Sequence, residues 1–99
     1  MSVAITTNMG TFTPTPVTVA ATATLLVAAS IVNQRVIVIN NSPSVMDIGG
    51  PTVAPGTGIP VQGGGDSIDL VLAPQGGTAS GLYAAYSGGG GDARVVVLS

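Results

Sequence analysis

Val36-Ile37-Val38-Ile39 sets four β-branched side chains in a row, and Asn40-Asn41-Ser42-Pro43-Ser44 stops them at once. β-branched residues fit the pleated surface of a sheet, and a polar cluster with a proline reads as a turn. Successive residues of a strand point to opposite faces, so a run that is apolar at every position has two apolar faces. An antiparallel sheet with one wet face shows alternation instead. The strand predicted over Gln34–Asn40, and a second uninterrupted run at residues 95–98, therefore need cover on both sides. An N-terminal arm within the chain can supply that cover. A neighbouring subunit is the simpler source in a chain with so few charges, and an oligomer is expected.

The rest of the chain repeats the theme in short pieces. Residues 17–27 alternate at period two and predict one half-buried strand; their Thr density and missing caps argue against a helix. Residues 45–48 predict a returning strand stopped by Gly49-Gly50-Pro51, and Pro60 confines residues 59–62 to an edge. Residues 66–73, 82–86 and 93–98 supply the remaining strands. Residues 63–72 and 89–98 both read Gly-Gly-Gly-Asp followed by a strand ending Val-Leu, one turn-then-strand solution used twice. The expectation is an all-β fold of about seven or eight short strands: a single antiparallel β-sandwich, jelly-roll-like, or a small β-barrel. Pro14 and Pro16 fix φ and withhold ladder donors, so residues 1–16 are expected to form an extended N-terminal arm ahead of a domain at 17–99.

Composition then excludes whole classes of function. The chain has no His, Cys, Glu, Lys or Trp, and no charged side chain before Arg35. Enzymes draw most of their acids, bases, nucleophiles and metal ligands from those residue types. Charged residues are 6% of the chain, against roughly 25% in an ordinary soluble domain. A lone soluble monomer normally carries far more surface charge, which again favours an assembled state. Two Arg without a Lys make no basic patch, so neither nucleic acid nor an anionic membrane surface is an expected partner. The uncharged stretch 17–32 is broken by Thr18, Thr22, Thr24 and Ser30, and falls short of the roughly 18 continuous apolar residues of a membrane-spanning helix. No basic segment of a secretory signal opens the chain.

Individual residues fare no better as chemistry. Asp66 and Asp69 stand three apart on one predicted strand, hence on opposite faces, and cannot form a dyad. The Gly-Gly-Gly-Asp runs lack the Lys of a phosphate loop, and no calcium-loop pattern surrounds Asp66, Asp69 or Asp92. Ser30, Ser42, Ser67, Ser80 and Ser87 have no His or Lys to activate them. Tyr83 and Tyr86 also fall on opposite faces. No catalytic, cofactor or metal site is expected, and the chain reads as non-enzymatic. Arg35 and Arg94 are expected at an interface or paired with carboxylates. The residues expected to carry assembly are Val3, Ile5 and Phe12 of the arm, with Arg35, Ile37, Val38, Arg94 and Val96 of the domain.

Leu25-Leu26-Val27-Ala28-Ala29, followed by Asn33-Gln34-Arg35-Val36-Ile37-Val38-Ile39-Asn40-Asn41-Ser42, resembles a pattern in small virion structural proteins of tailed bacteriophages. Asp47-Ile48-Gly49-Gly50, Gly58-Ile59-Pro60-Val61-Gln62-Gly63-Gly64, Leu82-Tyr83-Ala84 and the terminal Val-rich strand extend the resemblance over about residues 25–98. It implies a β-sandwich or jelly-roll unit, often trimeric, that decorates or cements the outer surface of the capsid. Its partners would be further copies of itself and the major capsid protein. It would be made in the host bacterial cytoplasm and end in the virion. The alternative within the same virion is a head- or tail-fibre module that binds a host receptor or glycan.

Overall fold

The computed structural model describes residues 14–30, 33–73 and 81–98, and these residues form eight strands and no helix. These are β1 (Thr15–Val19), β2 (Thr24–Val27), β3 (Gln34–Asn40), β4 (Met46–Gly49), β5 (Ile59–Val61), β6 (Asp66–Leu72), β7 (Leu82–Tyr86) and β8 (Gly91–Leu98). They make two four-stranded sheets, ordered β1-β8-β3-β6 and β2-β7-β4-β5, in which every pairing is antiparallel. No helix among the described residues is long and apolar enough to cross a membrane. Two separate sheets facing one another make a β-sandwich, and the barrel alternative is set aside.

Inward-pointing residues of both sheets make one core. Val19, Val36, Val38, Ala93 and Val95 come from the first sheet, and Val27, Met46, Ile48, Val61, Leu82, Ala84 and Tyr86 from the second. The core is aliphatic, with Tyr86 as its one buried aromatic among the described residues. Tyr83 lies on the opposite face, as period two requires.

The pairing is nested. β4 pairs with β5, β3 with β6, β2 with β7 and β1 with β8, so each pair encloses the one before it in sequence. Pairings β3–β8 and β4–β7 join the pairs within each sheet.

The single strand expected over residues 17–27 is two strands in different sheets. At residues 20–23 the Ala20 N–H donates to Thr24 Oγ1 (3.0 Å), and that hydroxyl donates to the Thr22 carbonyl (3.0 Å). The Tyr86 N–H fastens the corner by donating to the Ala20 carbonyl (2.9 Å). A threonine hydroxyl thus turns the chain where neither Gly nor Pro marks a turn. The expected boundary of the arm also shifts, because Thr15 and Pro16 already pair with Val95 and Arg94. The earlier residues of the arm, 1–13, lie outside the described residues.

The two Gly-Gly-Gly-Asp segments flank the same strand. β6 and β8 pair with opposite edges of β3, but Asp66 stands opposite Asn40 whereas Asp92 lies beside Asn41, whose N–H donates to the Asp92 carbonyl (2.8 Å). This one-residue shift sends equivalent residues of the two segments to opposite faces. Leu70 of β6 packs on the core, while its counterpart Val96 of β8 faces outward.

Candidate interaction surface

The outward face of the first sheet gathers four of the chain's six charged residues. Register sets Arg35 between Val71 and Leu98, and Ile37 between Asp69 and Val96. Ile39 lies between Ser67 and Arg94, and Pro16 and Thr18 of β1 stand opposite Arg94 and Asp92. The predicted assembly residues Arg35, Ile37, Arg94 and Val96 therefore share one surface.

The charges on this face cancel in two local pairs. Arg35 Nε donates to both carboxylate oxygens of Asp69 (3.0 and 3.1 Å), and Nη2 adds a third bond. Arg94 holds Asp92 two residues away on its own strand (2.9 and 3.0 Å), and Asn41 Nδ2 donates to the same carboxylate (3.1 Å). The guanidinium hydrogen bond from Arg35 holds the Asp69 carboxyl below its ordinary range, and Arg94 and then Asn41 do the same for Asp92. Both arginines are raised in return by their carboxylate partners. Arg–carboxylate pairs of this forked geometry fix orientation as well as charge.

Structure corrects part of the expected surface. Val38 points into the core at 0% exposure and has no part in an interface. Ile37 and Val96 do face outward, yet they are 0% and 4% exposed in the single chain. A neighbouring subunit is therefore not required to bury them. Val3, Ile5 and Phe12 lie outside the described residues. Among the described residues the aliphatic side chains that remain open are others: Val71 at 67%, with Ile59, Leu25, Val97 and Val45 each between 37% and 49%.

No protein family, curated protein or solved structure matches this chain. The site stands on its geometry alone.

Sequence reasoning missed a polar knot at one end of the sandwich. Asn40, 0% exposed, donates from Nδ2 to the carbonyls of Ser44 (2.8 Å) and Val61 (2.9 Å), and its Oδ1 accepts from the Ser42 N–H (3.0 Å). Ser42 Oγ accepts from the Asp92 N–H (2.6 Å), and the Tyr86 hydroxyl accepts from the Ser44 N–H (3.2 Å). The Gly64 and Gly65 N–H groups close on the carbonyls of Ser42 (2.8 Å) and Asn40 (2.9 Å). Both glycines have φ near +80 to +93°, a backbone conformation that side-chain-bearing residues rarely adopt. Val36, Val38 and Asn40 share a face, so once the structure turns that face inward the Asn40 side chain has to be satisfied by hydrogen bonds.

Asp47 is a buried carboxylate on the outward side of β4, away from the knot. Its Oδ2 accepts from the Gly58 N–H (3.0 Å), which draws the 50–58 loop over the second sheet and brings Val53 to 7% exposure. Among the described residues no cluster of three or more acidic, His or Cys side chains could hold a metal ion.

Proposed function

We propose that this chain is a non-enzymatic assembly subunit that decorates and cements the outer capsid of a tailed bacteriophage. It oligomerises, with three copies the expectation from its resemblance, and bridges neighbouring major capsid protein subunits. The observation that carries this reading is the chemistry of the exterior. Four of six charges are tied to one another on one face, while large aliphatic side chains stay open to solvent. Such a surface suits packing against protein better than dispersal as a monomer.

We read the strand orders β1-β8-β3-β6 and β2-β7-β4-β5 as a jelly roll, an architecture found among viral capsid and lectin domains. Fold alone does not assign function, so this supports the surface argument without replacing it. The mechanism is mechanical: binding the assembled lattice and not its separated subunits stabilises the lattice by mass action.

Light scattering of the purified protein, followed by co-sedimentation with capsid shells, tests the proposal. A discrete oligomer that pellets with the shells and raises their melting temperature is the expected result. A monodisperse monomer that ignores shells overturns it and turns attention to glycan binding near Tyr83 and Leu25, which stand opposite each other on the second sheet.

A further inference from the structure

A sheet edge exposes a row of unpaired N–H and C=O groups, and natural edges are kept short, interrupted or charged. Three of the four edges here follow that rule. β1 has five residues with Pro16 among them, β2 has four with a register break between Leu25 and Val27, and β5 has three with Pro60 at its centre. β6 differs. Its seven residues contain no Pro, Gly or Lys, all seven stay in register with β3, and from Ser67 to Leu72 no described strand pairs with its other side.

The side chains along this edge are aliphatic. Ile68, Leu70 and Leu72 point inward and pack on the core, yet remain only partly buried. Val71 on the outward face is the most exposed large apolar residue described, and Ile59 of the adjoining β5 is 49% exposed. The one charge in the middle of the strand, Asp69, is already held by Arg35.

We propose that β6 is the edge at which a second copy of this chain docks, antiparallel β6 against β6, so that the first sheet continues from one subunit into the next. This deepens the assembly reading above and rests on it. Keeping inward faces together across a two-fold axis requires an inward or outward residue to stand opposite its own copy, and three registers are central enough to use the strand. Centring on Asp69 sets two carboxylates against each other. Centring on Ile68 sets Asp66 against Leu70 on the inward face. Centring on Leu70 sets Ile68 against Leu72, Leu70 against itself and Asp69 against Val71, with no charge opposite a like charge. The third register matches apolar to apolar throughout the inward face, and it spans residues 67–73.

Such a contact is isologous and closes at two copies. It therefore joins two subunits, or two rings of subunits, and doubles the particle mass in either case. Cross-strand partners carry the test, since like charges directly opposite destabilise a pair and unlike charges stabilise it. Val71→Asp places a carboxylate against Asp69 of the other copy twice per contact. Within its own chain the new carboxylate stands opposite Arg35, so the fold is retained. Val71→Lys places an ammonium against the same Asp69.

Sedimentation velocity over a concentration series reads the outcome. The expected result is association weakened about tenfold by Val71→Asp, with the mass halved at intermediate concentration, and association kept or tightened by Val71→Lys. Because the chain has no Cys, Leu70→Cys should also yield a disulfide-linked pair on oxidation, with Val71→Cys alone failing to do so. Equal effects of the two charged variants, no effect of either, or a wild type that never doubles overturns the proposal. Shell co-sedimentation is scored separately. Variants that halve in mass but still pellet with shells leave the cement reading standing, and a doubling wild type that ignores shells removes cementing while keeping the β6 contact.

Discussion

Asn40→Ala should be the most damaging polar substitution in the domain. The Asn40 side chain makes three hydrogen bonds at 0% exposure, and two of its partners, the Val61 carbonyl and the Ser42 N–H, belong to buried residues. The third, the Ser44 carbonyl, belongs to an exposed residue and regains water when Asn40 is lost. A buried group left without a partner costs about 1–3 kcal/mol, so the two together give roughly 2–5 kcal/mol once the relief of desolvating the amide itself is counted. Against a total stability of about 5–15 kcal/mol, that is a large fraction. Urea denaturation followed by far-UV circular dichroism measures it directly: the midpoint should fall with the slope unchanged. Ser44→Ala is the matched control, because Asn40 uses the backbone carbonyl of Ser44 and not its hydroxyl; its effect should stay within about 0.5 kcal/mol. A loss below about 1 kcal/mol for Asn40→Ala would refute the claim that this knot fastens the β3–β4 turn to β5.

Three further outcomes are expected. Gly63→Ala would bring a Cβ to 2.5 Å from the Ser42 carbonyl oxygen and should cost about 1–3 kcal/mol, whereas Gly50→Ala, with nothing within 4 Å, should be nearly neutral in the same urea titration. Ile37→Ala should cost about 2–5 kcal/mol despite its outward face, because the side chain is fully buried, while Val71→Ala should change stability by less than about 0.5 kcal/mol. Asp69 and Asp92 have pKa values depressed from 3.8, so their stabilisation is present above that value and lost as pH falls through the lower folded-state values. An acid titration of the melting temperature should therefore show a decline below about pH 4 that is shallower in the Asp69→Asn, Asp92→Asn double variant.

β3 was legible because its four β-branched residues leave only one kind of structure, and Gly49-Gly50-Pro51 and Gly63-Gly64-Gly65 marked the ends of β4 and β5 to within a residue, β4 running one residue further, through Gly49, than expected. The corner at residues 20–23 was not legible: period two runs straight through it, and the turn depends on where one Thr24 hydroxyl points. The repeat at 63–72 and 89–98 was visible as a repeat. Its one-residue offset against β3 was not, since register is decided by partners distant in sequence. Ile37 and Val96 were expected to need a second covered face because their apolar runs are uninterrupted; that Arg35 and Arg94 share that face follows from the β3–β8 register, which the sequence does not show. Val38 was misplaced because such a run gives no hint of which parity faces the core. The adjacent Asn40 does not settle it either until its partners Val61 and Ser44 are known.

Nested pairing also sets an order of assembly in time. The β4–β5 contact joins residues 46 and 61, β3–β6 joins 34 and 72, β2–β7 joins 24 and 84, and β1–β8 closes over Thr15 and Val95. Closing the largest loop first is entropically the most expensive route, and each inner closure shortens the free chain that the next must span. Loop closure therefore predicts a sandwich that zips from its middle outward, and slowly, as folds of distant contacts do. β1 arrives last and, on the reverse path, leaves first. Amide exchange should find the least protected of the eight strands there.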